Sequence, residues 1–194
     1  MLKNKHQNFL GKYAKPDNHY SYDDAPKAYL NHSTKTNVEM LHHAINSIDD
    51  DVRYVAASHP NTTLELLHKA IQDKDTWVRS AAVGNRNATT EMLHIGLADK
   101  ESQVRKSATS NPNATPEILN KAMTDEDNWV RTAAVSHQNA TPEMLRKAMN
   151  DKDGRIRQCS VKHPNATPEM LHKAMKDEDR SVRDIATRRL QAMN

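Results

Sequence analysis

The sequence is poor in the residues that fill a large globular core. Aromatics make up 4% and hydrophobic residues 36% of its 194 positions, so a single broad apolar interior would be hard to build. A lone cysteine, Cys159, excludes an internal disulfide and any Cys-rich metal cluster. No apolar run approaches the length needed to cross a bilayer, and the opening stretch "MLKNKHQNFLGKYAK" lacks the apolar segment of a signal peptide. An excess of charge of one sign is missing too. The formal net charge is +3, too mild to announce a nucleic-acid binder by itself. These absences lead us to expect a cytoplasmic protein of a reducing compartment, with no membrane attachment.

What is present is repetition. Six copies of a 26-residue unit begin at Lys35, Asn61, Asn87, Asn113, Asn139 and Asn165 and run without insertion to residue 190. Two well-preserved copies read "NATPEILNKAMTDEDNWVRTAAVSHQ" and "NATPEMLRKAMNDKDGRIRQCSVKHP". Each predicts two short helices. In the first, Thr115 is a natural N-cap, Pro116 suits the first helical position and Glu117 favours the positive end of the dipole. Thr63, Thr89, Thr141 and Thr167 hold the same place. Ile118, Leu119, Ala122 and Met123 then form an apolar stripe. Asp127 is the cap expected for the second helix, whose buried face is read as Val130, Ala133 and Ala134. Helices this short are marginal alone, so the units must stack into a solenoid to bury a continuous core.

These units resemble the leucine-rich variant repeat, a bacterial relative of HEAT-like repeats. "TPEMLHKAMKDEDRSVRDIA" and its sister copies carry the matching features: Pro after the cap, the Leu, the DxD, the VR and the trailing AxxNP. They span residues 35–190, about four fifths of the chain. The resemblance implies an all-α, right-handed solenoid, with 3₁₀ character in one helix of the unit as an option, and no enzymatic activity. Some relatives carry a Cys-rich iron–sulfur segment; this chain has none, so that function does not carry over and no cofactor is expected. Residues 1–34 read as a tail and an N-terminal cap rich in Tyr, residues 35–190 as the solenoid, and residues 191–194 as the end of the last helix.

Comparison among copies separates fixed positions from free ones. Arg53, Arg79, Arg105, Arg131, Arg157 and Arg183 form an unbroken ladder. It is either a rail for phosphates or a set of partners for the DxD acids Asp73, Asp99, Asp125, Asp151 and Asp177, which the helix dipole disfavours near a C-terminus. The second reading is preferred, because Arg pairs carboxylates bidentately. Lys69, Lys121, Lys147 and Lys173 each follow a Glu by four residues and are read as ion-paired on a solvated face. His42, His68, His94 and His172 share one position but sit about 8–10 Å apart in a stack, too far for a common zinc; no metal site is expected. His59, His137 and His163, replaced elsewhere by Asn85 and Asn111, are read as turn-holding residues. The NTT and NAT triplets match a glycosylation pattern, but here Asn belongs to a turn and Thr to a cap.

The free positions lie on the second helix. The place of Trp129 is taken by Asp51, Trp77, Gln103, Arg155 and Ser181 in the other units. Positions three and seven further on vary as well. Freedom to vary implies exposure, and exposed Trp and Arg dominate interface energetics. The candidate partner-binding residues are therefore Trp77, Gln103, Lys106, Trp129, Thr132, Arg155, Gln158 and Lys162. The expected function is non-catalytic binding of another protein. The alternative is nucleic-acid binding through Lys106, Arg155, Lys162, Arg180, Arg188 and the N-terminal Lys3, Lys5, Lys12 and Lys15.

Overall fold

The structure is a computed structural model that describes residues 38–193. The expected N-terminal cap lies outside the described residues. Among those described are twelve α-helices and no strand. In chain order they are α1 (Val38–Ala44), α2 (Asp50–Ser58), α3 (Leu64–Ala70), α4 (Thr76–Gly84), α5 (Thr90–Leu97), α6 (Ser102–Ser110), α7 (Pro116–Ala122), α8 (Asn128–Ser136), α9 (Pro142–Ala148), α10 (Gly154–Lys162), α11 (Pro168–Ala174) and α12 (Arg180–Gln191). Odd-numbered helices are the first of each unit and even-numbered ones the second.

The caps explain why helices of seven to nine residues hold their bounds. Thr63, Thr89, Thr115, Thr141 and Thr167 each accept a backbone N–H three residues on. Asp75 and Asp127 each accept two, from Trp77 and Val78 and from Trp129 and Val130. Glu101, standing where other units have Asp, makes no cap bond through its side chain. Both helices of the unit are α-helical rather than one being 3₁₀. Three-residue bonds do tighten the chain just after the first helices, as in Thr124 N–H to Lys121 O at 3.1 Å.

The core is a row of repeated pairs, one in each of units two to six: Leu66 and Leu67, Met92 and Leu93, Ile118 and Leu119, Met144 and Leu145, Met170 and Leu171. In α8 the buried face is Val130, Arg131, Ala134 and Val135. Ala133 is only half-buried, contrary to expectation. It shares the solvent-facing side with Trp129, Thr132 and Ser136, at spacings of three, four and seven. Second helices of successive units pack directly on one another, whereas the first helices scarcely touch.

Three sets of polar joints lock unit to unit. In the first, each Arg reaches forward to the DxD acid of the next unit. Arg105 Nε and Nη2 bond both oxygens of Asp125 at 2.7 and 3.0 Å, while its Nη1 donates backward to the carbonyls of Asp99 and Lys100. The same geometry recurs at Arg53, Arg79, Arg131 and Arg157. Burial pushes the carboxyls of Asp73, Asp99, Asp125 and Asp177 up. The Arg hydrogen bonds, a backbone N–H and the Arg charge outweigh it and hold them below the usual range.

In the second set, Asn85 and Asn111 donate Nδ2 to two carbonyls of the preceding loop, while Oδ1 accepts an N–H within their own turn. His137 and His163 do both jobs with an imidazole. Nδ1 accepts the N–H of Asn139 or Asn165, so Nε2 must carry the proton it donates to Asn111 O or His137 O. Arg189 takes this place in the last unit, with Nη1 on Val161 O and His163 O. In the third set, Asn87, Asn113, Asn139 and Asn165 donate to carbonyls one unit back. The turn-holding role expected of the loop His and Asn residues is thus also a role between units.

The first-helix lysines behave otherwise than expected. Among the described residues no Glu–Lys bridge forms at Glu65, Glu117, Glu143 or Glu169. Lys69 and Lys173 turn instead to Asn46 and Asn150 of the preceding unit, and Glu143 pairs with Arg146 at 2.7 Å. An exposed pair four residues apart gains too little to compete with such alternatives.

Candidate binding face on the second helices

With the Arg ladder consumed by the joints, the phosphate-rail reading has no free guanidinium edge from Arg53 to Arg157. Arg183 differs: its Nη1 donates to Asp177 O and Glu178 O, but among the described residues no carboxylate pairs with it.

The remaining polar and aromatic side chains gather on the opposite side of the second helices. Trp77 and Trp129 sit in the first turns of α4 and α8, 58% and 57% exposed. Their backbones are pinned by the Asp75 and Asp127 caps. At the equivalent position Gln103 is half-buried and Arg155 exposed, and further along these helices Lys106, Thr132 and Gln158 are half-buried and Lys162 exposed. The eight candidates thus share one side of α4, α6, α8 and α10. Variation did not guarantee exposure everywhere: Ser80, at the position of Lys106, is buried and shares a hydrogen bond of 2.7 Å with Ser107 of the next unit.

Around Trp129 the side chains form a network. Lys106 Nζ from the unit before lies 5.8 Å from the ring centroid, and Arg155 Cζ from the unit after lies 5.6 Å from it. At separations this near the outer limit, each cation contributes about 0.5 kcal/mol at an exposed site. Arg155 is itself held by Asp153, Nη2 to Oδ2 at 3.0 Å, and Asn128 donates to the same oxygen at 3.1 Å. The Arg155 side chain, the Arg155 N–H and Asn128 bring the Asp153 carboxyl down to about 2, against a small opposing effect of burial. Asp153 is therefore a fixed anion that orients Arg155 over the indole. No pattern in the sequence signals this grouping, because its cations come from neighbouring units.

No family model and no curated protein matches the sequence. A solved structure does: a leucine-rich repeat variant with a novel repetitive protein structural motif, at a TM-score of 0.64 and 25% identity, covering 78% of this chain. The chain carries leucine-rich-variant-like repeats. It spans 60% of that protein's length. A leucine-rich-variant-like stack is a binding scaffold in general terms, because side-by-side helices present one extended face. Among the described residues no group of three or more His, Cys, Asp or Glu is placed to hold a metal ion, and no helix is long and apolar enough to cross a membrane.

Proposed function

We propose that this chain is a non-catalytic binding module that recognises another protein through the solvent-facing side of its second helices. One observation carries the reading: Trp77 and Trp129 stand more than half exposed on helices whose other side is locked by joints. An indole left more than half in water costs solubility and contributes little to the stack, whereas on a rigid helix it is a low-entropy anchor for a partner. The two Trp are two units apart, so about 16–20 Å separates them, within the reach of an interface of ordinary size.

The test is a photo-crosslinking residue at Gln103, between the two Trp, in the host lysate. A protein captured by this chain and lost with Trp77→Ala or Trp129→Ala supports the reading. Capture that neither substitution changes places recognition elsewhere.

A second reading, nucleic-acid binding, is supported by the exposed Arg155, Lys162, Arg180 and Arg188 toward the C-terminal end. It requires affinity for DNA or RNA that falls steeply between about 50 and 200 mM salt.

A further inference from the structure

Charge on the second-helix face is distributed unevenly. The twelve variable positions of units two to five are Trp77, Gln103, Trp129 and Arg155, with the residues three and seven places after each. They hold Lys106, Arg155 and Lys162 and not one Asp or Glu, in a chain with 25 acids. Carboxylates return at the outer units, as Asp51 and Asp184. In the middle units Asp99, Asp125 and Asp151 are used in joints and Asp75, Asp127 and Asp153 in caps instead. Among the described residues Lys106 has an aromatic partner but no carboxylate within ion-pair distance, and Lys162 has neither. Of these three cations Arg155 alone is matched, by Asp153.

We infer that this face docks an acidic segment of another protein, with Lys106, Trp129 and Arg155 as its anchor. The inference rests on the protein-binding reading above and adds the chemistry of the partner. A carboxylate side chain laid beside Trp129 meets Lys106 on one side and Arg155 on the other. Both cations are already held over the indole, so little side-chain freedom is lost on binding. Gln103 and Gln158 flank the anchor with amides that both donate and accept, suited to the backbone of an extended segment.

A nucleic acid fits this site less well. Bases stack on open ring faces, and the faces of Trp129 are approached by cations from the units on either side. Three cations spread over four units are also a sparse track for a continuous phosphate backbone.

The experiment uses the full chain and three fluorescent probes at about 50 mM salt. They are a Glu-rich peptide with one Leu, the same peptide with Lys for every Glu, and a short single-stranded DNA. Anisotropy should show the Glu peptide binding in preference to both others. Lys106→Glu and Arg155→Glu should each weaken it about tenfold or more, while Lys176→Glu, away from the face, should not. Thermal melting confirms that each variant is folded. Lys106→Gln and Arg155→Gln, which remove charge without reversing it, serve where a reversal unfolds the chain.

DNA binding tighter than the Glu peptide, equal binding of the Lys peptide, or indifference to both substitutions overturns the inference. A protein captured at Gln103 that is released by Trp129→Ala but not by Lys106→Glu or Arg155→Glu sinks the acidic chemistry and leaves the binding face standing. Failure of peptide binding together with absence of any capture sinks both.

Discussion

On one side of each second helix, Arg53, Arg79, Arg105, Arg131 and Arg157 reach the same kind of partner in the same geometry. On the other side, the equivalents of Trp129 are Asp51, Trp77, Gln103, Arg155 and Ser181. The two sides answer to different constraints. A joint side chain must satisfy a carboxylate on the next unit and carbonyls on its own, all with little water, and a planar five-donor fork does so where other side chains cannot. Most face side chains meet water, which accepts many residues, although Ser80 is buried against Ser107. Uniformity therefore marks stability here, and variety marks the surface open to selection for a partner.

The largest effect expected comes from breaking a joint. Arg131→Ala strips Asp151 of its guanidinium and leaves the carbonyls of Asp125 and Glu126 without their donor. A loss of about 2–4 kcal/mol is expected, because one charge of a largely buried pair remains uncompensated. Arg183→Ala should cost less than about 1 kcal/mol, since among the described residues no carboxylate is stranded. Urea denaturation of both variants measures the contrast, and equal losses would mean that the forward pairs contribute nothing. Acid attacks the same joints. The carboxyls of Asp73, Asp99, Asp125 and Asp177 titrate below their unfolded value, so their contribution is full above about pH 4 and is lost as pH falls through the lowered folded values.

The loop joint should rank next. Asn111→Ala removes the Nδ2 donor from Val83 O, leaves Asn85 O with only the N–H of Ala88 and frees the N–H of Asn113, at a cost of about 1–3 kcal/mol. Asn111→His should be milder, because His137 and His163 perform both functions in the same place. A histidine variant as unstable as the alanine one would show that the two side chains are not interchangeable within this turn.

How much of this was legible depended on distance along the chain. Caps were readable because Thr115 and Asp127 bond N–H groups two or three residues on. The Arg–Asp chemistry was readable from charge and the dipole. Its register was not: the partner of Arg105 is Asp125 of the following unit rather than an acid of its own, and only the stack brings them together. The Glu–Lys expectation failed for the opposite reason. Local spacing allowed the pairs, but Asn46 and Asn150 from the preceding unit offered Lys69 and Lys173 another partner. On the face, periodicity placed Trp129 outward, yet nothing in its neighbourhood of sequence named Lys106 and Arg155 as its flanks.

A smaller effect should appear on mild acidification. Burial lowers the proton affinity of His59, and its Nδ1 accepts the N–H of Asn61 at 3.1 Å, a bond that protonation would remove. The unfolded chain takes up the proton first, so stability is full above about pH 6.5 and declines as pH falls below it. His59→Asn, which copies the residue found at Asn85 and Asn111, should flatten this step and leave the carboxylate-driven loss below about pH 4 intact. A midpoint that rises between about pH 7 and 6 would contradict the sign.

The smallest effect on stability is expected on the face, and there the comparison between the two sides is most exposed to failure. Trp77→Ala removes an indole more than half in water, without a cation over its ring among the described residues, and should shift stability by no more than about 0.5 kcal/mol. Trp129→Ala also forfeits the contacts with Lys106 and Arg155, so about 1 kcal/mol is the expected ceiling. Both should retain full helical content by circular dichroism, yet each should weaken a partner captured at Gln103 by about tenfold or more. Within the pair, Trp129→Ala should be the more sensitive to salt, because it alone disperses two anchored cations that attract an acidic partner. Should either variant melt as readily as Arg131→Ala, the indoles belong with the joints, and variety of residue at a repeat position would no longer mark a surface free of structural duty.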